Sequence, residues 1–222
     1  RASLGTGGHC RLPRPSGAPK PTMSERPKES WGSGDAYELW VGRWSRIIGG
    51  AFVDWLAIPP GQTWGDVGCG TGALAGCILG RSDPAGVLGV DRSEAYVCEA
   101  RNRVGDARAR FEVGDACALP WTTATCDVTV SGLVLNFVPD SDAMVHEMVR
   151  VTRPGGRVAA YVWDYAGGMQ MIRHFWDVAL ALNRDDAQLD QAERFPLCQP
   201  DPLEQLFRRV GLNSVSVRAI DV

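Results

Sequence analysis

Two kinds of hydrophobic spacing alternate along the chain and predict alternating helices and strands. Between residues 37 and 56 apolar residues recur every three or four positions, which is typical of an amphipathic helix. After the break at Pro59-Pro60-Gly61, short apolar runs alternate with helical segments. We predict six strands, at 63–67, 86–90, 110–113, 127–131, 157–163 and 214–220, with helices at about 72–80, 93–104, 140–151, 167–183 and 202–210. This order predicts a doubly wound, Rossmann-like α/β fold whose mostly parallel sheet carries helices on both faces.

The two ends of the chain differ from this pattern. Residues 1–30 are rich in proline, glycine, serine and basic residues, so we expect a disordered tail. Met23 begins a more ordinary sequence, and we expect residues 1–22 to lie outside the natural protein. Residues 31–222 form the predicted domain. Because the chain stops directly after the sixth predicted strand, we expect this domain to be truncated at its C-terminus.

Charge and cysteine content restrict the classes of partner and of metal site that we expect. The net charge is −3, but residues 1–22 hold four basic and no acidic residues, so residues 23–222 carry −7. Such an acidic body disfavours a nucleic-acid partner. No apolar run approaches the ~20 residues of a membrane helix. Seven cysteines without a C-x-x-C pair argue against a zinc site or a disulfide framework. We expect a cytoplasmic monomer or homodimer with no metal and no membrane partner.

The strongest chemical signal is the glycine-rich turn Asp66-Val67-Gly68-Cys69-Gly70-Thr71-Gly72, between the first strand and a helix. Glycines let the backbone turn tightly and let a ligand approach closely. The helix N-terminus adds unpaired N–H groups and a partial positive charge. The acidic residue at the strand end can meet a cationic amino group, either directly or through water. Together these features predict a cofactor site.

Three further segments match motifs of the same kind of cofactor site. Together with the glycine-rich turn, they make the chain resemble the class I S-adenosylmethionine-dependent methyltransferases. Their first motif, an acidic residue followed by G-x-G-x-G, is matched from Asp66 to Gly72. Asp91 ends the second strand, where the resemblance implies a carboxylate that binds both ribose hydroxyls. Asp115 and Ala116 follow the third strand, at the position that the family uses for the adenine ring. The turn at residues 153–156 is similar to the family's K/R-P-G-G turn. The likeness is strongest to the ubiquinone/menaquinone-biosynthesis-like small-molecule methyltransferases.

The resemblance implies a seven-stranded sheet, S-adenosylmethionine as cofactor and in-line transfer of its methyl group to a small-molecule acceptor. The backbone around Ser131 should line the methionine part of the cofactor. Tyr37 and Arg43 on the first helix could reach its carboxylate. The acceptor pocket should lie above the carboxyl ends of the strands, with Asn136, Trp163 and His174 as candidates. The expected cofactor-binding residues are Asp66, Gly68, Cys69, Gly70, Gly72, Asp91, Arg92, Asp115, Ala116, Ser131, Tyr37 and Arg43.

Two other functions remain open from the sequence. The turn from Gly68 to Ala73 also satisfies the looser G-x-G-x-x-A pattern of nicotinamide oxidoreductases, and Asp91 suits their ribose contact. Against this reading, Asp66 stands where those enzymes usually have an apolar residue, and Asp115 adds an acid at the adenine position. The second alternative is a cofactor-binding domain that is inactive or regulatory. No catalytic base is identified, since displacement at an activated methyl group needs one only when the acceptor must lose a proton.

Overall fold

The computed structural model of the protein describes residues 43–222. The expected tail and Tyr37 lie outside the described residues. The strands are β1 Thr63–Val67, β2 Gly86–Asp91, β3 Ala109–Val113, β4 Cys126–Gly132 and β5 Thr152–Tyr161. The helices are α1 Arg43–Leu56, α2 Ala73–Arg81, α3 Glu94–Val104, α4 Ser141–Val151, α5 Gln170–Leu182, α6 Gln191–Arg194 and α7 Pro200–Arg209, with 3₁₀ turns at Leu135–Phe137, Arg184–Leu189 and Pro196–Cys198.

The five strands form one parallel sheet in the order β3-β2-β1-β4-β5. β1 lies at the centre, where Asp66 pairs with Gly89 of β2 and with Val130 of β4. Strand order reverses between β1 and β4, and ligands of such sheets bind at the carboxyl ends beside that reversal. The predicted fold class is therefore confirmed, and it places the glycine-rich turn at the expected edge.

Two apolar clusters cover the two faces of the sheet. One contains Phe52 of α1, Ile78 of α2 and Trp64 of β1, whose side chains are all 0% exposed. The other holds Met148 of α4 and Leu206 of α7, equally buried. Full burial of one such side chain stabilises the fold by about 1.5–3 kcal/mol. The helices are thereby held on both faces, which fixes the strand ends that carry the site.

The predicted turn at residues 153–156 lies inside β5 and interrupts its pairing with β4. Cys126 pairs with Thr152, but Val128 pairs with Arg157, so the intervening residues bulge out opposite Asp127. Arg153 donates to the Asp127 carboxylate at 2.6 Å, and Gly155 adopts a φ of 80°. Residues 153–156 thus belong to β5, and the prediction of a separate turn before the strand is wrong; the left-handed Gly155 lies in a bulge of the strand instead.

The predicted sixth strand is wrong within the described residues. Residues 213–222 form neither helix nor strand, although their burial alternates as the sequence pattern indicates. Val215 and Val217 pack against the cluster under α4 and α7, and Ile220 packs against the opposite cluster. Alternation predicts which side chains are buried, but a strand also needs a neighbour that completes its hydrogen-bond ladder. Residues 213–222 show the alternation of burial but have no neighbouring strand among the described residues.

The segment from β5 to α7 is held together by polar contacts between its own elements. Arg173 of α5 forms an ion pair with Asp190 at 2.6 Å, and the Trp176 indole donates to the side chain of Gln191. Asp190 is 5% exposed and also accepts from the Ala192 N–H at 2.9 Å, which caps α6.

None of the helices within residues 43–222 has the length and apolar character needed to cross a bilayer.

Candidate functional site

The glycine-rich turn is attached to β2 by backbone hydrogen bonds. The N–H groups of Gly68 and Cys69 both donate to the Val90 carbonyl, at 2.8 and 2.9 Å. Gly72 is the N-cap of α2 with a φ of 85°, so the helix starts where the turn ends. The first N–H groups of α2 therefore lie at the carboxyl end of β1, where they can bind a polar ligand.

Gly68 and Gly70 are required for two different reasons. A Cβ on Gly68 would stand 2.6 Å from the Val134 side chain, so this position must be glycine for the loop after β4 to pack. Gly70 has a φ of 52°, yet a Cβ there would meet no heavy atom within 4 Å. A left-handed residue facing open space is what a cofactor-binding turn needs, since ligand atoms can then approach the backbone.

Asp91 is the carboxylate that joins this turn to the start of α3. Its Oδ2 accepts from the Gly70 N–H at 3.0 Å, and its Oδ1 accepts from the Ser93 N–H at 2.9 Å. Ser93 caps α3 by accepting from the Tyr96 N–H at 3.3 Å, as predicted. Each carboxylate oxygen can accept further hydrogen bonds, so Asp91 can hold the turn and still accept from two hydroxyls.

Asp66 occupies a very different environment. Its side chain is 1% exposed, and its Oδ2 has no hydrogen-bond partner among residues 43–222. Burial, reinforced by the negative charge of Asp91, raises the pKa of Asp66 to about 7, while the Ala75 backbone N–H opposes this rise. A buried acceptor without a partner is costly, and in a native protein it points to a ligand that supplies one.

Asp115 lies in the loop that follows β3, where its Oδ1 accepts from the Cys117 N–H at 2.8 Å. The side chain is exposed, so its other oxygen can reach a ligand. Further along, the Arg150 guanidinium fixes this loop by donating to the carbonyls of Leu119 and Trp121, at 3.0 and 2.8 Å. The geometry agrees with the adenine position that the sequence predicts for Asp115, which stays a prediction.

The loop after β4 completes the same edge. Leu133 adopts a left-handed φ of 62° and donates its N–H to the Tyr161 carbonyl at 2.8 Å. The Ser131 side chain is 0% exposed and lies, by alternation along β4, on the opposite face from Val130. Its Oγ, like Oδ2 of Asp66, has no hydrogen-bond partner among the described residues. That the backbone around Ser131 lines the methionine part of the cofactor stays a prediction.

The remaining predicted cofactor residues differ in how far their side chains are exposed. Cys69 is 5% exposed, and burial raises the pKa of its thiol well above the usual range, so it stays neutral. Arg92 is exposed directly after Asp91, and Ala116 is half-buried. Arg43 begins α1, but its side chain lies outside the described part of the structure.

The predicted acceptor residues lie on three separate segments. Asn136 is in the 3₁₀ turn after β4, and its buried Nδ2 has no partner among the described residues. Trp163 follows β5 and packs against the cluster that contains Tyr161. His174 is exposed on α5. A pocket shared by these three residues stays a prediction.

Sequence reasoning missed Phe195, which joins two of these segments in an aromatic group. Phe137 and Phe195 meet edge to face at 5.2 Å between ring centroids, and Tyr165 lies 5.7 Å from Phe195. The Arg194 guanidinium stands 5.0 Å from the Phe195 centroid. Phe195 comes from a short irregular stretch without periodicity, so no pattern signalled it. The three rings form an aromatic surface between the loops that follow β4 and β5.

The residues present fit S-adenosylmethionine. An orphaned buried carboxyl oxygen on Asp66 suits an ammonium group, and the open face of Gly70 suits a ligand that lies across the turn. Asp91 and Asp115, at the ends of β2 and β3, suit the ribose hydroxyls and the adenine amine. Within residues 43–222 no three histidine, cysteine or carboxylate side chains cluster as a metal site would need.

Comparison with known proteins agrees with this geometry. Residues 65–160 match the family model described as a methyltransferase domain. The chain is 37% identical over 207 residues to the ubiquinone/menaquinone biosynthesis C-methyltransferase UbiE of Cereibacter sphaeroides, covering 86% of this chain and 78% of that protein. It is 29% identical over 177 residues to the demethylmenaquinone methyltransferase of Halalkalibacterium halodurans, covering 73% and 72%.

A solved structure confirms the fold. An S-adenosyl-L-methionine-dependent methyltransferase from Methanococcus maripaludis superposes with a TM-score of 0.60 at 19% identity, over 84% of this chain and 85% of that one. The chain belongs to the UbiE-like small-molecule group of the class I S-adenosylmethionine-dependent methyltransferases, which transfer the methyl group of this cofactor to an acceptor.

Proposed function

We propose that the acceptor is a ring carbon of a hydroquinone-type small molecule. The observation that carries this proposal is the 37% identity to UbiE, whose name specifies a C-methyltransferase, over 86% of the chain. The rings of Phe137, Tyr165 and Phe195 support it, because aromatic side chains pack favourably against a planar ring. The acidic charge of residues 23–222 leads us to propose an enzyme that acts without a nucleic-acid partner. We also propose that the enzyme is cytoplasmic.

In this proposal the residues of the chain bind and align the two reactants. Asp91 and Asp115 hold the nucleoside part of the cofactor, Asp66 faces its amino group, and the backbone after β4 lines its methionine part. The cofactor supplies a methyl group already activated on a sulfonium. Alignment of an attacking carbon with that methyl group, in a site shielded from water, accounts for most of the acceleration in such a displacement.

The atoms balance without a co-reactant. A carbon–carbon bond forms between the ring and the methyl group, and the methyl–sulfur bond breaks with its electron pair left on sulfur. The ring carbon then loses its proton to solvent. A hydroquinone ring is electron-rich enough to attack as the neutral phenol or the phenolate, and a partnerless amide N–H such as that of Asn136 can donate to a ring oxygen.

The test is a product assay with ¹³C-methyl-labelled S-adenosylmethionine. A demethylated naphthohydroquinone, a catechol and a primary amine are offered in turn, and ¹³C NMR distinguishes methyl groups on carbon, oxygen and nitrogen. We expect labelled methyl on a ring carbon of the hydroquinone only. Label on the catechol oxygen or the amine, or no transfer to any acceptor while the cofactor still binds, would contradict the proposal.

A pair of variants tests the aromatic surface. Phe195→Leu removes a ring that contacts both Phe137 and Tyr165, whereas Phe175→Leu removes a ring that is 62% exposed on α5. We expect the first to lower kcat/KM for the hydroquinone about tenfold, in line with ~1.4 kcal/mol of lost transition-state binding. The second should leave it unchanged. Equal effects would remove the aromatic surface from the acceptor site.

A further inference from the structure

The charge environment of Asp66 is unusual for a carboxyl group. The side chain lies on β1, and the titratable groups that face it are Asp91 from β2 and the thiols of Cys69 on the turn and Cys77 on α2. Among the described residues, the charged form of Asp66 is favoured only by the Ala75 backbone N–H at the start of α2. No positive side chain among residues 44–222 lowers the pKa of this carboxyl.

The neutral form satisfies this environment better than the ion does. A protonated carboxyl in a fully buried position avoids the desolvation of a charge and the repulsion from Asp91. It still leaves Oδ2 without a hydrogen-bond partner among residues 43–222. The position is therefore built for an incoming group that is positively charged and can donate hydrogen bonds.

The cofactor carries such a group in its methionine ammonium. Asp66 is the second-last residue of β1, just before the turn whose Gly70 faces open space, so a ligand lying across the turn comes within reach of the carboxyl. We infer that Asp66 is protonated in the free enzyme below neutral pH and releases that proton when the ammonium group of the cofactor enters, so that cofactor affinity is linked to pH through this one carboxyl. This linkage does not depend on the identity of the methyl acceptor.

The direction of the effect follows from the folded enzyme alone. With the pKa of Asp66 at about 7 in the free protein, the carboxyl is almost fully protonated at pH 5.5 and about half protonated at pH 7. Cofactor binding should then release about one proton at pH 5.5 and about half a proton at pH 7. The dissociation constant should fall about fifteenfold between these two values. Higher pH is avoided because the ligand's own α-amino group, with a reference pKa of about 7.7–8.0, begins to lose its proton.

Isothermal titration calorimetry in buffers of different ionisation enthalpy measures the released protons. Three ligands separate the possible causes. S-adenosylmethionine carries a sulfonium and an ammonium, S-adenosylhomocysteine carries the ammonium only, and 5′-methylthioadenosine carries neither. We expect equal proton release with the first two ligands and none with the third.

Asp66→Asn is the matching variant, and Asp201→Asn, an exposed aspartate on α7, is its control. The Asp66 variant should bind S-adenosylhomocysteine without proton release and with an affinity that does not change from pH 5.5 to 7. The control should behave as the unaltered protein does. Should Asp66→Asn not fold, the three-ligand series on the unaltered protein decides alone.

Two results would overturn the inference. One is equal proton release with 5′-methylthioadenosine and S-adenosylhomocysteine, which would assign the proton to the nucleoside side. The other is release with S-adenosylmethionine but not with S-adenosylhomocysteine, which would assign it to the sulfonium. Absence of methyl transfer to a hydroquinone would leave these calorimetric outcomes unaffected, so the two proposals fail separately.

Discussion

Replacing Asp66 by asparagine should make the free protein more stable, although it removes a residue of the cofactor site. The folded state holds the pKa of Asp66 at about 7, whereas the ordinary value is 3.8. Between pH 3.8 and about pH 7 the folded state therefore binds more protons than the unfolded state does. Its free energy of unfolding therefore falls as pH rises through this window. Asparagine has nearly the same shape and carries no charge to desolvate, so it lacks this penalty.

The magnitude follows from the shift. A pKa raised by about three units corresponds to roughly 4 kcal/mol of lost stability once the pH is above both values. Between pH 5 and pH 8 the loss grows by roughly 2–3 kcal/mol, because part of it has already accrued at pH 5. The stability of Asp66→Asn relative to the unaltered protein should therefore increase by that amount over this range.

Urea unfolding followed by tryptophan fluorescence measures both proteins at the two pH values. The chain has eight tryptophans, among them Trp64, which is 0% exposed on β1, so their summed emission reports unfolding of the whole domain. Comparing the two proteins at each pH cancels the contributions of the titratable groups that do not interact with Asp66. A stability difference that stays constant within ~0.5 kcal/mol, or that shrinks as pH rises, would refute the assignment of a buried, proton-bound carboxyl.

Three other substitutions distinguish folding from binding. Asp91→Asn should lower the free energy of unfolding by about 1–3 kcal/mol, because an amide can accept from only one of the Gly70 and Ser93 N–H groups. It should also weaken cofactor binding at least tenfold. Chemical denaturation measures the first effect and calorimetry the second. Gly70→Ala should cost only about 1 kcal/mol of stability, from its φ of 52°, yet reduce cofactor affinity more strongly, because the methyl group enters open space on the ligand side. Ala57→Gly should raise stability by up to about 1 kcal/mol without changing cofactor affinity, since the exposed Ala57 holds a φ of 48° after α1.

Much of the fold could be predicted because its signals are local. The run at Thr63–Val67 and its neighbours are short, apolar and bounded by glycine, and all five strands that form were predicted within a few residues, apart from the early start of β5. The N-cap at Ser93 was also readable, because a capping hydroxyl acts within three residues of its own position. The same locality applies to the turn from Gly68 to Gly72.

What the sequence did not reveal depends on contacts distant along the chain. The segment around Val217 alternates as a strand does, but pairing with another strand is a property of the sheet. Phe195 meets Phe137 across 58 positions, and Asp91 holds the amide of Gly70 across 21. The predicted ribose role of Asp91 came from its place at a strand end, whereas its role in holding the glycine turn emerges only from the geometry.

The cofactor edge also concentrates features that destabilise the free protein. Within the described part of the chain, Asp66 is a buried carboxyl without a compensating cation, and Asn136 has a buried amide without a hydrogen-bond partner. Leu133 holds a left-handed backbone. A fold can sustain such positions only when the surrounding packing determines them, and they cluster where a ligand supplies the missing interaction. The left-handed Ala57 is comparable in strain but lies after α1, away from the strand ends. Relief of strain at Ala57 should therefore increase stability alone, whereas relief at Asp66 should increase stability at the expense of cofactor binding. That contrast separates strain retained for function from strain that function does not require.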